Sequence, residues 1–249
     1  MKPLTKSALA SVRLIATDMD GTLTKAGKFT AELLIALEAL ATKNIPVLIV
    51  TGRSAGWVSA IANYLPVYGA IAENGGVFYN NQQNQTEFIA KIEDLPHYRQ
   101  NLQTTFHNLQ KKFPEIKESS DNRFRITDWT FDIGHLTQSQ LSEIELICQE
   151  YGFGFTYSTI QCHIKPQQQD KASALKQILQ AHFPQLTPQQ VLTVGDSPND
   201  ESLFNPNYFP LSVGVANISH YSDHLKYLPT YITSNPEAEG FRQIRDYLI

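Results

Sequence analysis

The chain has 249 residues, 42% of them hydrophobic and 18% charged, with a net charge of −4 and a pI near 6.0. That length admits one large domain or two modest ones, and the composition is that of an ordinary folded chain. An acidic balance with no strong Lys/Arg cluster excludes the electrostatic footprint of a nucleic-acid binder.

Two cysteines, Cys148 and Cys162, are too few for a disulfide framework and read as small buried apolar residues of a reducing compartment. In the N-terminal stretch Arg13 interrupts the apolar run, and an acidic motif follows at once. Nothing reads as a signal peptide or a transmembrane span, so a cytoplasmic protein with no membrane partner is expected.

Leu14-Ile15-Ala16 is a short apolar run of the kind shown by a buried parallel strand. The chain turns polar immediately after it, at Asp18, Asp20, Gly21 and Thr22. This places two carboxylates at the carboxyl end of a strand, where α/β sheets bind ligands. In an extended chain Asp18 and Asp20 point the same way and Met19 the other. Residues 30–43 are predicted helical, with Thr30 as N-cap and Leu33, Leu34, Leu37, Leu40 and Ala41 on one face. A second strand, 45–50, ends in Thr51-Gly52-Arg53-Ser54. The helix predicted over 54–65 turns Trp57, Val58, Ile61 and Leu65 inward. A third strand, 68–72, ends in Glu73-Asn74-Gly75-Gly76, and Val77-Phe78-Tyr79 follows as a strand after a tight turn. Strand and helix alternate, which implies a parallel sheet with right-handed crossovers.

The pattern then changes. A long helix over 94–113, a strand over 124–133, a helix over 138–151 and two short strands over 153–164 make an α+β unit. Its strands are aromatic and polar, as in a sheet with one wet face. Residues 165–169 read as a return linker. A helix over 171–183, a strand over 191–194, the loop Gly195-Asp196-Ser197-Pro198-Asn199-Asp200, a strand over 211–216, a last strand ending near Ile232 and a helix over 236–248 resume the α/β pattern. The expected fold is therefore α/β: a Rossmann-like doubly wound parallel sheet core (1–83 and 168–249) with an inserted α+β cap (84–167).

Three polar loops thus sit at carboxyl ends of strands: 18–24, 51–54 and 195–200. Mg²⁺ takes oxygen ligands, typically a few carboxylates with waters and a substrate phosphate. Asp18, Asp196 and Asp200 are candidates to supply them. Asp20 is a candidate to contribute its backbone carbonyl and keep its side chain free. Thr51 and the Gly52 amide open a helix and suit an anion. Arg53 suits the same anion, or equally a neighbouring acid. Lys171 is a misfit with the macrodipole at a helix start, which calls for an anionic partner, and Asp170 suits the N-cap.

DMDGTLT, TGR, Lys171 in DKASAL and GDSPND resemble, in order, the four motifs of the haloacid-dehalogenase-like phosphatase superfamily. The resemblance covers residues 12–82 and 168–249. An insertion between the second and third motifs is similar to the subfamily with the larger cap, which includes the Cof-type and sucrose-phosphate phosphatases. It implies a Mg²⁺-dependent phosphomonoester hydrolase for a small phosphorylated metabolite, a sugar phosphate or a phosphoglycerate-type compound. In that scheme Asp18 is the nucleophile that forms an aspartyl phosphate and Asp20 the general acid and base. Thr51, Gly52, Lys171 and Asn199 hold the phosphoryl group, and Asp18, Asp20, Asp196 and Asp200 serve the metal. One departure is Ala172 where the third motif usually has glycine. The cap would read the leaving group, with Arg123 and Arg125 alternating on one face of a strand, Asp128, His163 and Lys165 nearby, and Asn74 facing in from the core. The two arginines equally suit pairing with Asp121 or Glu118. A phosphomutase of the phosphomannomutase type is an alternative that the TGR motif argues against. A non-catalytic phosphometabolite-binding protein is a second alternative, weakened by the presence of every expected acid and of Lys171. No feature of the sequence marks an oligomeric interface.

Overall fold

The computed structural model describes residues 1–249. After a two-residue strand, β1 (Lys2–Pro3), come β2 (Leu14–Thr17), α1 (Ala31–Thr42), β3 (Val47–Val50), α2 (Ala55–Tyr64), β4 (Gly69–Ala72), β5 (Val77–Asn80) and β6 (Gln85–Phe88). The chain continues as α3 (Leu95–Lys112), β7 (Trp129–Asp132), α4 (Gln138–Glu150), β8 (Phe153–Tyr157) and β9 (Gln161–Pro166). It ends with α5 (Lys171–His182), β10 (Val191–Gly195), β11 (Ser212–Gly214), β12 (Tyr231–Ile232) and α6 (Glu237–Leu248).

Nine strands form one sheet in the order β1-β12-β11-β10-β2-β3-β4-β5-β6. Pairing is parallel from β1 to β4 and antiparallel from β4 to β6. From β2 the chain winds outward through β3 to β4, and from β10 it winds the other way through β11 to β12. The winding reverses between β2 and β10, which is the switch point where such sheets open a crevice.

The central strands are apolar throughout because both faces are covered. Ile15, Ile49 and Val194 pack with Leu33, Leu37, Val58, Phe241 and Ile244 on one side. Leu14, Ala16, Leu48 and Val50 pack with Ala172, Leu175 and Ile178 on the other. Thr30 caps α1, its hydroxyl accepting from the Leu33 amide at 3.4 Å. The inward faces of α1 and α2 are narrower than the sequence suggests: Leu34 and Trp57 are each 43% exposed. Leu34 has turned past the sheet, and Trp57 lies under the Arg53 guanidinium at 5.2 Å.

A three-stranded antiparallel sheet, β7-β9-β8, forms apart from the large one. Phe106 and Leu109 of α3 and Ile144 of α4 cover one face, packing on Phe131 and Ile164. The expected wet face is not wet, since Thr130, His163 and Lys165 are buried. The large sheet also runs on to Phe88, so the change of sheet comes later than residue 84. No strand spans 124–133: Asn122–Phe124 is a 3-10 turn, and β7 begins only at Trp129. No helix is long and apolar enough to cross a membrane.

Phe131 sits at the centre of the small core, wholly buried. Phe131→Ala is expected to destabilise the protein by about 3–5 kcal/mol. Leu146→Ala, on the exposed side of α4, is expected to stay within about 0.5 kcal/mol. Urea denaturation followed by circular dichroism checks both.

Candidate active site

β2 and β10 are hydrogen-bonded neighbours, with Thr17 opposite Val194. The residues that follow them, Asp18 and Asp196, therefore emerge side by side at the switch point. Asp200 turns back from the loop after β10. Its Oδ2 accepts from the Asp196 amide at 2.9 Å and the Ser197 amide at 3.1 Å. Lys171, on the first turn of α5, is fully buried and donates from Nζ to Asp18 Oδ1 at 2.5 Å and to Asp200 Oδ1 at 2.6 Å. The misfit with the helix macrodipole is resolved by these two anions, while Asp170 caps the helix through the Ser173 amide at 2.8 Å.

Burial alone would discharge Lys171, but Asp18 and Asp200 outweigh it and its pKa is raised. Burial lifts the Asp18 carboxyl to about 7, with Lys171 opposing and Asp200 and Asp20 adding. Asp196 is raised well above its usual value, first by burial and then by Asp18 and Asp200. Thr22 Oγ1 donates to its Oδ1 at 3.1 Å and Asn217 Nδ2 to its Oδ2 at 2.8 Å. Asn217 comes from the 3-10 segment Ala216–His224 after β11, and no motif announced it. Gly21 has φ +78°, and a Cβ there would collide with Asp196 Oδ2, so the turn after Asp20 needs glycine.

The carboxylate oxygens of Asp18, Asp196 and Asp200 lie within 4.8 Å of one another. Three buried carboxylates against one lysine leave an excess of negative charge that a cation would offset. An all-oxygen donor set suits a hard divalent ion such as Mg²⁺ or Ca²⁺. The donors therefore fit the metal that the resemblance implies.

Asp20 stands apart from this cluster. Its side chain is not free: Arg53 Nε donates to Oδ2 at 2.8 Å and Nη2 to Oδ1 at 2.7 Å. Arg53 has thus taken an acid neighbour, which bidentate guanidinium geometry favours. Thr51 is buried, and its hydroxyl accepts from the Arg53 amide at 3.2 Å. The Gly52 amide makes no hydrogen bond within the protein.

Two residues of the turn after β4 matter here. Glu73 and Asn74 have φ of 53° and 54°, left-handed values that non-glycine residues seldom adopt. Asn74 Oδ1 accepts from Asn199 Nδ2 at 3.0 Å, and its own Nδ2 is buried without a partner. The Glu73 carboxylate accepts from the Ala55 amide at 2.8 Å, capping α2 in place of the Ser54 hydroxyl. It also accepts from the Ile126 amide at 3.0 Å and the Thr127 amide at 2.6 Å. Burial raises its pKa to about 7, with Asp128 adding, while Arg125 and the backbone donors pull it down. Sequence reasoning passed over Glu73. Its only signal was an acid directly after a buried strand.

The two cap arginines do not share a strand face. Arg123 is exposed, in the 3-10 turn, over the Phe124 ring at 4.7 Å. Arg125 is buried and committed to Asp121 at 2.9 Å, both Asp128 oxygens at 3.0 Å, Gln161 Oε1 at 2.9 Å and the Gly52 carbonyl at 2.9 Å. A 3-10 turn has three residues per turn, so residues two apart point apart. A small cavity of about 20 Å³, room for little more than a water, lies between Asp18, Asp20, Gly52 and Arg53 on one side and Ser158, Ile160, Gln161 and His163 on the other. A second cavity, of about 630 Å³, lies by the two connections between the sheets, around Ile89–Lys91 and Pro166–Asp170. It contains none of the clustered acids.

A single buried acid cluster at a doubly wound switch point, roofed by a small α+β unit, defines the class of haloacid-dehalogenase-like hydrolases. Comparison with known proteins agrees. Residues 11–244 match the model of the sucrose-6F-phosphate phosphohydrolase family. A phosphoglycolate phosphatase of Methanothrix thermoacetophila is 27% identical over 95% of this chain and 97% of its own. Another, phosphoglycolate phosphatase 1 of Saccharolobus solfataricus, is 27% identical over 96% of each. Among solved structures, a Thermoplasma acidophilum protein superposes with a TM-score of 0.76 at 22% identity, covering 95% of this chain and 98% of that one. The C-terminal domain of C. albicans trehalose-6-phosphate phosphatase superposes with a TM-score of 0.72 at 17% identity, covering 99% and 96%. The chain belongs to the sucrose-6F-phosphate phosphohydrolase family, and it is a phosphatase of small phosphorylated metabolites.

Two measurements test the cluster. At a hundred times its dissociation constant, a divalent cation is expected to add about 2.7 kcal/mol of stability, and Asp196→Asn to remove that increment in thermal melts. In metal-free buffer Lys171→Met is expected to cost about 3–5 kcal/mol near pH 8, because it strands buried carboxylates. A carboxyl raised above its unfolded value costs stability as pH climbs from that value through the folded one. Asp18 is raised to about 7 even with Lys171 beside it. Without Lys171 that value rises further, so the variant's deficit against wild type is expected to shrink as pH falls from about 9 toward 7, and a deficit that stays constant over that range counts against the pairing.

Proposed function

We propose that the protein is a Mg²⁺-dependent phosphomonoesterase working through an aspartyl-phosphate intermediate, with residues 1–88, β6 included, and 168–249 as the core and the intervening segment as a substrate-reading cap. The observation that carries this is the convergence of Asp18, Asp196, Asp200 and Lys171 at the switch point. Mg²⁺, held by the carboxylates of Asp18, Asp196 and Asp200 with the Asp20 carbonyl, would neutralise charge between Asp18 and the phosphoryl oxygens.

In this reading an Asp18 oxygen attacks phosphorus as the bond to the leaving oxygen breaks. Asp20 gives that oxygen its proton, then takes one from the water that splits the aspartyl phosphate and releases inorganic phosphate. Arg53 occupies both Asp20 oxygens, so proton donation requires Asp20 to leave that pair. Thr51, the unbonded Gly52 amide, Lys171 and Asn199 hold the transferring group, where positioning and charge supply most of the rate. Asn199 is already placed by Asn74 and Ser197.

The cavity is narrow, and Ile160 is its one apolar wall. A polar lining favours a polar leaving group, as in the phosphoglycolate named for the relatives. A net charge of −4 and the two buried free cysteines support a cytoplasmic enzyme with no nucleic-acid partner. Asp18→Asn is expected to lower turnover of phosphoglycolate and of p-nitrophenyl phosphate on the order of 10⁴-fold or more, as removal of a covalent nucleophile does. Chelation of the metal is expected to do the same reversibly. Release of inorganic phosphate checks both, and a positional isomer as product would instead indicate a mutase.

A further inference from the structure

We propose that His163 is the residue by which the cap reads the leaving group, and that it does so as a cation binding a carboxylate on a short phosphorylated hydroxy acid. This rests on the phosphatase reading above and adds to it the group that selects among phosphomonoesters.

His163 lies on β9, the central strand of the small sheet, and lines the same cavity as Asp18 and Asp20. A Cβ on Gly52 would meet its Cε1 at 3.1 Å, so the ring stands directly across from the phosphate loop. The other polar side chains that the cap sends to this cavity are already committed within the cap. Gln161 takes Arg125 on Oε1 at 2.9 Å and gives Nε2 to Asp121 at 3.3 Å. Ser158 Oγ accepts from the Ile160 and Gln161 amides, each at 3.2 Å. His163 Nε2 has no partner.

The ring is also held in one tautomer. Nδ1 lies 2.8 Å from Asp128 Oδ2. Burial pushes Asp128 up, but Arg125 and His163 outweigh it and the carboxyl stays below its usual range. An ionised carboxylate only accepts, so Nδ1 carries a proton and Nε2 is the nitrogen left for a ligand. Arg125 binds both Asp128 oxygens and the Gly52 carbonyl, so one guanidinium ties the imidazole to the phosphate loop. The charged groups facing the ring are Asp128 and Arg125 from the loop before β7, Lys171 from α5, and Asp18, Asp20 and Arg53 across the cavity. Burial first, then Arg125 and Lys171, lower the His163 pKa, while Asp128 opposes them. Without an anion the ring is therefore neutral near pH 7.

A carboxylate arriving against Nε2 reverses that balance, because an adjacent opposite charge favours the protonated form. One proton comes from solvent to Nε2, and the Asp128 carboxylate behind the ring stabilises the imidazolium as in hydrolytic triads. Asn74 Nδ2, the buried donor without a partner, also borders Gly52. Once Nε2 is protonated, both groups are donors beside Gly52 and together suit an acceptor ligand.

The test compares 2-phosphoglycolate with ethyl phosphate, a leaving group of the same length without the carboxylate, using the full chain with Mg²⁺. Wild type is expected to prefer phosphoglycolate, and His163→Gln to reduce that preference in kcat/KM about 10- to 100-fold, mainly through KM. Asp128→Asn keeps the ring but weakens the imidazolium. The pH at which KM for phosphoglycolate begins to rise is expected to move lower, with no such move for ethyl phosphate. If His163→Gln does not fold, calorimetry on Asp18→Asn at pH 8, in buffers of different ionisation heat, reads the same point. Uptake approaching one proton is expected for phosphoglycolate beyond that for ethyl phosphate. Equal uptake, equal losses for the two esters, or a wild type that turns over both without preference would overturn the role of His163 alone. Failure to hydrolyse any phosphomonoester would overturn the phosphatase reading and this role with it.

Discussion

The ammonium of Lys171 between Asp18 and Asp200 is the interaction on which the site depends. Three carboxylates at the end of two adjacent strands repel one another and lose their hydration when α5 and the loop after β10 close over them. The cost of burying such charges is several kcal/mol each unless they are paired. Lys171 offsets part of it, and in doing so sets the direction of Asp18 and anchors Asp200, whose other oxygen holds the Asp196 and Ser197 amides. The loop after β10 is therefore shaped by the same charge that neutralises its neighbour. What charge remains is the reason the cluster suits a divalent cation.

The contact between the two sheets obeys the same rule. Each side sends a buried charge that the other side helps to satisfy. Glu73, after β4, is met by the Ile126 and Thr127 amides, and Arg125 is met in part by the Gly52 carbonyl. Gly76 permits this closeness, since a Cβ there would collide with the Thr127 side chain. These links bring the β8–β9 hairpin against the phosphate loop and leave a cavity of about 20 Å³. A phosphoryl group needs more room than that, so substrate entry requires these surfaces to part. The left-handed backbone at Glu73 and Asn74 is strain of the kind found beside binding sites, held in place by surrounding hydrogen bonds.

Much of the core was legible because its signals are local. A buried parallel strand is apolar on both faces, so Leu14–Ala16 and Val47–Val50 read plainly, and so did the loops after them. The N-caps Thr30 and Asp170 bond amides three residues away and need nothing distant. The small unit was harder to read. Arg123 and Arg125 alternate in the sequence as a strand would, yet a 3-10 turn separates them, because Asn122 bonds across to Thr130 and bends the chain there. β6 is polar and half a loop in composition. Only its pairing with β5 makes it a strand.

The succession of strands and helices along the chain, the acid-bearing loops at the strand ends and the chemistry of those loops were determined by the sequence itself, since period and side-chain type act over a few residues. Tertiary structure alone decided which charges meet. That Asp20 is gripped by Arg53, that Asp196 is held by Asn217, that Glu73 caps α2 and binds the cap, and that His163 is aimed by Asp128 all depend on residues brought together from 18 to 54 positions apart. The physical reason is that a buried charge takes whatever partner folding brings to it, and sequence spacing carries no record of that distance.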